Sequence, residues 1–372
     1  MKTILITGAD GFIGKNLRAV LMRREDVLIL AFDVNNKTDE LERYLQQAEI
    51  VYHLAGVNRP KEIIEFEEGN VDLTKKIVDF LKKLERRPTI VFSSSTQAEL
   101  NNPYGISKKK AEDALIRYGK EFENRKVHIY RLTNVFGKWC RPNYNSVVAT
   151  FCYNISHGLD ISIRDANYLL ELVYIDDVVT EFVRFIDNPE HYSGQPYCDV
   201  KTKYEVTLGE LARKIYKIHD IQRSFMVPDL ADDFTRSLYA TYLSYLNNED
   251  FSYGLDMKTD QRGWLAELIK SEHFGQIFVS KTSEGVVRGN HYHDSKIEKF
   301  CVVQGKALIK LRHILEGDVL TFPVSGENIE VVDIPPGYTH CIENVGKTEM
   351  ITIFWANQIF NPDRPDTHYL EV

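Results

Sequence analysis

Short apolar runs separated by amphipathic stretches fill the first half of the chain. Ile4–Thr7, Leu28–Asp33, Ile50–Leu54, Ile90–Ser93 and Val127–Arg131 read as buried strands, and helical spacing predicts helices over Phe12–Arg24, Leu73–Leu84 and Pro103–Phe122. Strands alternating with helices at this interval mean βαβ units, and so a doubly wound parallel α/β sheet. From about Asn145 to Leu246 the pattern turns mostly helical, over Glu205–His219 and Asp232–Leu246. The texture changes after the polar run Asn247-Asn248-Glu249-Asp250. Gly275–Ser280, Lys299–Val303, Ala307–Arg312, Val331–Ile334 and Met350–Ala356 follow with only turns between them, which predicts an all-β barrel. The expected division is an α/β domain over residues 1–247 and a β domain over 248–372.

Composition narrows the class. A length of 372 residues suits two or three domains, and 43% hydrophobic with 27% charged residues is ordinary for a globular protein. A net charge of −8 argues against a general nucleic-acid binder. No apolar run approaches the roughly 20 residues that span a bilayer, so no membrane association is expected. The opening Met1-Lys2-Thr3-Ile4-Leu5-Ile6-Thr7-Gly8 reads as a strand and glycine turn rather than a signal peptide. Cys140, Cys152, Cys198, Cys301 and Cys341 are scattered and odd in number, which fits free thiols in the cytoplasm.

The first strand runs into Thr7-Gly8-Ala9-Asp10-Gly11-Phe12-Ile13-Gly14, which opens the first helix. Gly8 permits the tight turn, Gly11 a close approach of backbone to a pyrophosphate, and Gly14 close helix–strand packing. The unpaired N–H groups of the helix start favour an anion. Asp33 follows about 20 residues on, where a carboxylate would bond ribose hydroxyls. That carboxylate favours NAD over NADP, while the nearby Lys37 leaves the choice open. Ser93-Ser94-Ser95 closes the fourth strand, and Tyr104 and Lys108 stand four apart on the next helix, hence on one face. A lysine cation with a ribose hydroxyl would lower the phenol pKa, so that Tyr104 could protonate a ketone oxygen while a serine holds it.

With His53-Leu54-Ala55-Gly56, Arg131-Leu132-Thr133-Asn134-Val135-Phe136-Gly137 and Tyr174-Ile175-Asp176-Asp177-Val178, the first ~245 residues resemble the extended short-chain dehydrogenases/reductases, a family of nucleotide-sugar epimerases and reductases. The resemblance implies a Rossmann-like fold, with Gly8, Asp10, Gly11, Phe12, Ile13, Gly14, Asp33, Leu54, Ala55 and Gly56 around a nicotinamide cofactor. It implies Ser95 as the catalytic serine beside Tyr104 and Lys108, and Asn134 facing a sugar nucleotide. The basic, aromatic, amide-rich loop Lys138–Asn145, with Arg141, Asn143 and Asn145, suits a uridine diphosphate.

A second constellation lies near the other end. Gly285, His291, His293, Glu298 and Gly305 are followed by Pro335-Pro336-Gly337, His340 and Asn344. His291 and His293, two apart on a strand, share one face. Three imidazoles and a carboxylate, with Glu298 and His340 expected from neighbouring strands, suit Zn, Fe, Mn or Ni. The spacing resembles the two-part cupin signature, with Ile329 standing where that signature usually has glycine. Asp260-Gln261-Arg262-Gly263-Trp264 and Val287-Arg288-Gly289-Asn290-His291 resemble the dTDP-4-keto-sugar 3,5-epimerases. By that resemblance Arg262 and Arg288 contact the diphosphate and His291 aligns with the base. A metal-bound His291 could not serve so, which leaves Lys296, Tyr292 and Tyr338 as candidates.

Across nearly its whole length the chain is similar to the bifunctional capsular-polysaccharide enzymes that join such a reductase to a metal cupin. That resemblance implies a substrate of UDP-2-acetamido-2,6-dideoxy-4-keto-L-hexose, C3 epimerisation at the cupin, and reduction of the C4 ketone by NADPH, with NADH not excluded. The implied product is UDP-N-acetyl-6-deoxy-L-talose, and both parent families imply a homodimer. Three rivals stay open: a reductase with a structural zinc domain, a sugar-binding module without turnover, and an oxygen-consuming metal domain.

Overall fold

The computed structural model describes residues 1–85, 88–121, 127–188, 196–315 and 317–372. The chain folds into two compact units, one of Met1–Ile215 with Ser237–Leu246, the other of Tyr216–Arg236 with Asn247–Val372.

The first unit begins β1 (Lys2–Thr7), α1 (Phe12–Leu21), β2 (Val27–Phe32), α2 (Thr38–Gln47) and β3 (Ile50–His53). After α3 (Ile64–Phe66) and a π-helical turn over Glu67–Asp72 come α4 (Leu73–Lys83), β4 (Thr89–Ser95), α5 (Pro103–Glu121) and β5 (Val127–Leu132). Phe122, expected to end α5, lies outside the described residues. The chain continues through β6 (Asn134–Phe136), α6 (Val147–Ser156), β7 (Leu169–Tyr174), α7 (Ile175–Asp187), β8 (Tyr197–Cys198), β9 (Tyr204–Thr207) and α8 (Leu208–His219), whose end belongs to the second unit with α9 (Ile221–Ser224) and the start of α10 (Asp233–Leu243). Six strands form a parallel sheet in the order β2-β1-β3-β4-β5-β8. Ile4, Leu5 and Ile6 are all fully buried, because helices cover both faces of a parallel sheet. This is the Rossmann-like architecture.

A helix from Glu205 does not form. Tyr204–Thr207 is strand β9, which pairs antiparallel with β7 and buries Val206, and the helix starts only at Leu208. Val206 and Thr207 are β-branched, and a strand neighbour outweighs the helical spacing downstream.

The second unit is antiparallel. Its strands are β10 (Met257–Asp260), β11 (Gly263–Ser271), β12 (Gly275–Thr282), β13 (Val287–Tyr292) and β14 (Glu298–Gln304). Then follow β15 (Lys306–His313), β16 (Val319–Ser325), β17 (Val331–Ile334), β18 (Tyr338–Asn344), β19 (Met350–Ala356) and β20 (His368–Tyr369). They make two sheets, β10-β11-β12-β19-β14-β17 and β16-β15-β18-β13-β20. Phe300, Val332 and Phe354 from the first pack with Ile309, Leu311 and Ile342 from the second in one core.

Candidate functional site

In the parallel sheet the strand order reverses between β1 and β3, and ligands of such sheets bind beyond the carboxyl ends at that point. The glycine loop sits there. Gly8 has φ +69° and lies so close to Ala55 that a Cβ would stand 2.7 Å from its Cα. A Cβ on Gly14 would meet the Gly8 oxygen at 2.1 Å, so α1 can abut the loop only as glycine. Gly11 precedes α1, and Phe12 and Ile13 pack against the core beneath it. Asp33 Oδ2 accepts from the Asp10 N–H at 2.7 Å, and Asp10 pairs with Arg18. The Leu54 N–H donates to the Thr7 carbonyl at 3.1 Å. The fold thus brings Gly8, Asp10, Gly14, Asp33, Leu54 and Ala55 to the carboxyl ends of three neighbouring strands, β1, β2 and β3.

Gly56 extends this surface towards the catalytic candidates, since its Cβ would stand 3.2 Å from Lys108 Nζ. The Lys108 ammonium is buried, donates to the Ser93 carbonyl at 2.9 Å, and lies over the Phe92 ring at 4.8 Å. Burial pushes it down to about 8, against the pull of Glu112. Burial also pushes the Tyr104 phenol up, while a hydrogen bond with Ser95 opposes the rise. Ser94 donates instead to Glu112 at 2.6 Å, inside the core.

Sequence reasoning missed the support behind this trio. Asn70, in the π-helical turn, donates to Val57 O and Ser107 Oγ at 2.9 Å each and accepts from the Val57 N–H at 2.8 Å. It thereby ties the loop after β3 to α5. The signal was Gly69-Asn70 inside a helical stretch, two poor helix formers where the helix widens. Buried His53 spans Thr7 at 2.7 Å and Thr74 at 2.9 Å, and burial followed by the Lys108 charge holds it down at about 3, so it stays neutral.

Asn134 opens β6, exposed, and donates to the Glu171 carbonyl. In the following loop Arg141 lies over the Tyr144 ring at 5.1 Å, Asn145 is exposed, and Asn143 adopts a left-handed φ of 53° with its N–H on Thr150. Tyr245 donates to the Cys140 carbonyl at 2.6 Å and anchors the loop. Tyr144 of this loop adds, after burial, to the upward shift of the Tyr104 phenol.

The second unit gathers His291, His293, Glu298 and His340, with their ligand atoms all within 4.8 Å of one another. His291 stands opposite His340 on β13 and β18, with Asn290 (φ 59°) bulged between Gly289 and His291. The bulge puts Arg288, opposite Ile342, on the same sheet face as His291. Glu298 does not come from a neighbouring strand. It lies on β14 in the facing sheet, because two sheets closing on one core bring opposite walls together. Glu298 Oε2 is 3.2 Å from Nε2 of both His293 and His340. The His293 Nδ1–H donates to the Asp366 carbonyl at 2.5 Å, which leaves the Nε2 lone pair pointing inward. Nε2 of both His293 and His340 is buried without a hydrogen-bond donor. Lone pairs converging on a carboxylate repel unless a cation lies among them, so the set fits one divalent metal. Burial, then the neighbouring histidines, presses His291 down to about 4.

Arg262 pairs with Asp260, and Arg288 donates to Thr282 Oγ1 at 2.9 Å. Burial and then the Arg262 charge lower the Arg288 pKa, so the two guanidiniums share one electrostatic neighbourhood.

Residues 4–197 match the NAD dependent epimerase/dehydratase family, just over half the chain. The chain belongs to that family. Beyond it, residues 258–368 match the polysaccharide biosynthesis C-terminal domain. A UDP-2-acetamido-2,6-beta-L-arabino-hexul-4-ose reductase of Pseudomonas aeruginosa is 40% identical over 99% of this chain and 98% of its own length. The crystal structure of the capsular polysaccharide assembling protein CapF from Staphylococcus aureus is 45% identical, with a TM-score of 0.91 over 99% of this chain and 100% of that one. A CapF structure with the inhibitor 3-isopropenyl-tropolone is 41% identical, with a TM-score of 0.87, covering 100% of both chains. Among the described residues, no helix is long and apolar enough to cross a membrane.

Proposed function

We propose that this protein is a bifunctional nucleotide-sugar enzyme of surface-polysaccharide synthesis. Its second unit, a metal cupin, inverts C3 of a UDP-activated 4-keto-6-deoxy amino sugar, and its first unit then reduces the C4 ketone. The substrate is UDP-2-acetamido-2,6-dideoxy-4-keto-L-hexose and the product UDP-N-acetyl-6-deoxy-L-talose. The observation that carries the reading is the coexistence in one chain of the Ser95–Tyr104–Lys108 site and the His291–His293–Glu298–His340 cluster. Similarity to the Pseudomonas reductase along both units supports the substrate class. Order follows from chemistry: the C4 ketone acidifies the C3 proton, so inversion precedes the reduction that removes it.

At the first site Gly8, Gly11, Gly14 and the start of α1 would hold NADPH, which when bound supplies hydride to the sugar C4. NADH is the other candidate, and Asp33 is not decisive, since its carboxylate already accepts the Asp10 N–H. Tyr104 gives its phenolic proton to the ketone oxygen, and the Ser95 hydroxyl holds that oxygen. The Lys108 ammonium offsets the phenolate charge that develops. Asn134, Arg141, Asn143 and Asn145 orient the uridine diphosphate.

At the second site His291, His293, Glu298 and His340 would hold zinc or another divalent ion, which when bound supplies Lewis acidity to the sugar carbonyl. Tropolones chelate divalent cations through adjacent oxygens, so an inhibitor of that class on CapF supports a metal. Arg262 and Arg288 offer positive charge to the diphosphate. Exposed apolar residues along the edge strand β16, Val319, Leu320 and Phe322, support a homodimer.

The test is purified protein with the 4-keto sugar, following cofactor oxidation and solvent deuterium at C3 separately. Tyr104→Phe should abolish cofactor oxidation and keep C3 exchange; His291→Ala should abolish C3 exchange and keep cofactor oxidation only with a sugar already inverted at C3. Normal C3 exchange in folded, metal-free protein would overturn metal-assisted inversion.

A further inference from the structure

The segment Pro365–Glu371 reaches the surroundings of all three histidines of the metal cluster. The Asp366 carbonyl accepts from His293 Nδ1 at 2.5 Å. Tyr369 of β20 stands opposite His291 in the sheet, and the Leu370 N–H donates to the Asn290 carbonyl at 3.0 Å, one residue before that histidine. The Leu370 carbonyl accepts from the hydroxyl of Thr339, one residue before His340.

The segment is itself pinned. Asp366 holds a left-handed φ of 42°, and its carboxylate accepts from the N–H groups of Asp294 (2.8 Å), Ser295 (3.0 Å) and Lys296 (3.0 Å) and from the Ser295 hydroxyl (2.9 Å). Lys296 Nζ donates back to the Pro365 carbonyl at 3.1 Å. Side chain and carbonyl of one residue therefore fix both the loop that follows His293 and the ring of His293.

An imidazole is free in tautomer and ring angle until a second group takes its other nitrogen. With the Nδ1 proton committed to a carbonyl, the Nε2 lone pair is presented inward before any cation arrives, and less ordering remains to be done on binding. We propose that Asp366 is a positioning residue for the metal centre, and that Pro365–Glu371 is a strap presetting the three imidazoles. The inference rests on the metal reading above, and assigns this chain's own residues to it.

The experiment compares wild type, Asp366→Ala and Asp366→Asn by zinc competition against a chromophoric chelator, and by melting temperature in zinc and in EDTA. D366A is expected to lower zinc affinity by about 10–100-fold and to narrow the gap between the two melting temperatures. D366N, which tolerates the left-handed φ and keeps an acceptor, should fall between D366A and wild type. A D366A protein less stable by the same amount in zinc and EDTA, with unchanged affinity, overturns the strap and leaves Asp366 a purely structural residue. If D366A does not fold, Thr339→Val takes its place, with weaker zinc binding expected and equal affinity overturning the proposal. Wild type that takes up no zinc overturns the metal reading and the strap together; tight wild-type binding with an unaffected variant overturns the strap alone.

Discussion

Ser94 and Ser95 are neighbours on β4 yet serve different residues of α5: Ser94 donates to buried Glu112, while Ser95 stands beside the Tyr104 phenol. Glu112 is fully buried and also accepts from Arg131 Nε at 3.0 Å and Nη2 at 2.7 Å, and from Tyr197 at 3.1 Å. Ser94→Ala should therefore cost about 2 kcal/mol of stability, the loss of one hydrogen bond to a charged group, with turnover largely kept. Ser95→Ala should lower kcat by about 100-fold with little change in stability. Paired denaturation curves and steady-state rates on the two variants check this, and the reverse pattern would make Ser94 the catalytic serine.

Lys108 gives a pH dependence of definite sign. Burial lowers its pKa from 10.5 to about 8, so the ammonium is lost as pH rises through that value. The kcat/KM for reduction should fall roughly tenfold per pH unit above about 8, since this parameter reports the free enzyme. Stability moves the other way. Between about 8 and 10.5 the unfolded chain holds a proton that the folded chain has released, so this group makes stability rise with pH. Lys108→Arg, charged throughout, should move the descending limb out of range; a limb that stays near pH 8 in that variant would assign it to another group.

Gly14 tolerates no side chain, because its Cβ would sit 2.1 Å from the Gly8 oxygen and 2.9 Å from Ala9. Gly14→Ala must push α1 away from the loop, at a cost of about 1–3 kcal/mol. Cofactor affinity should fall with it, measured by fluorescence of bound NADPH. Unchanged affinity would place the pyrophosphate elsewhere.

Metal removal should act on the second unit. A cation held by His291, His293, Glu298 and His340 stabilises by about 4 kcal/mol when present at a thousandfold over its dissociation constant. EDTA should lower the calorimetric transition of that unit, and His340→Ala should reproduce the drop without EDTA. A transition insensitive to both treatments would deny the cluster a structural cation.

The local chemistry was legible because it is written over short spans. The strand–turn–helix around Gly8, the four-residue interval from Tyr104 to Lys108, and the two-residue interval from His291 to His293 each follow from one backbone period. The strands β1–β5 of the first unit and β12, β14, β15, β17 and β19 of the second were legible for the same reason, apolar residues recurring at the spacing that buries one or both faces.

What failed lay where the period is broken or a partner is distant. The π-helical turn that aims Asn70 has no periodic signature, and β9 was taken for helix because only its pairing with β7 makes it a strand. Glu298 was expected beside His340 and came from the opposite sheet. Asp366, some 70 residues beyond His293, carries no sign of its role in its neighbours. Periodicity within a segment, set by side-chain direction and burial, was determined by the sequence alone. Which segments meet was decided only when two sheets closed on a shared core and the strap returned along β13, because contact between distant segments depends on the packing of everything between them.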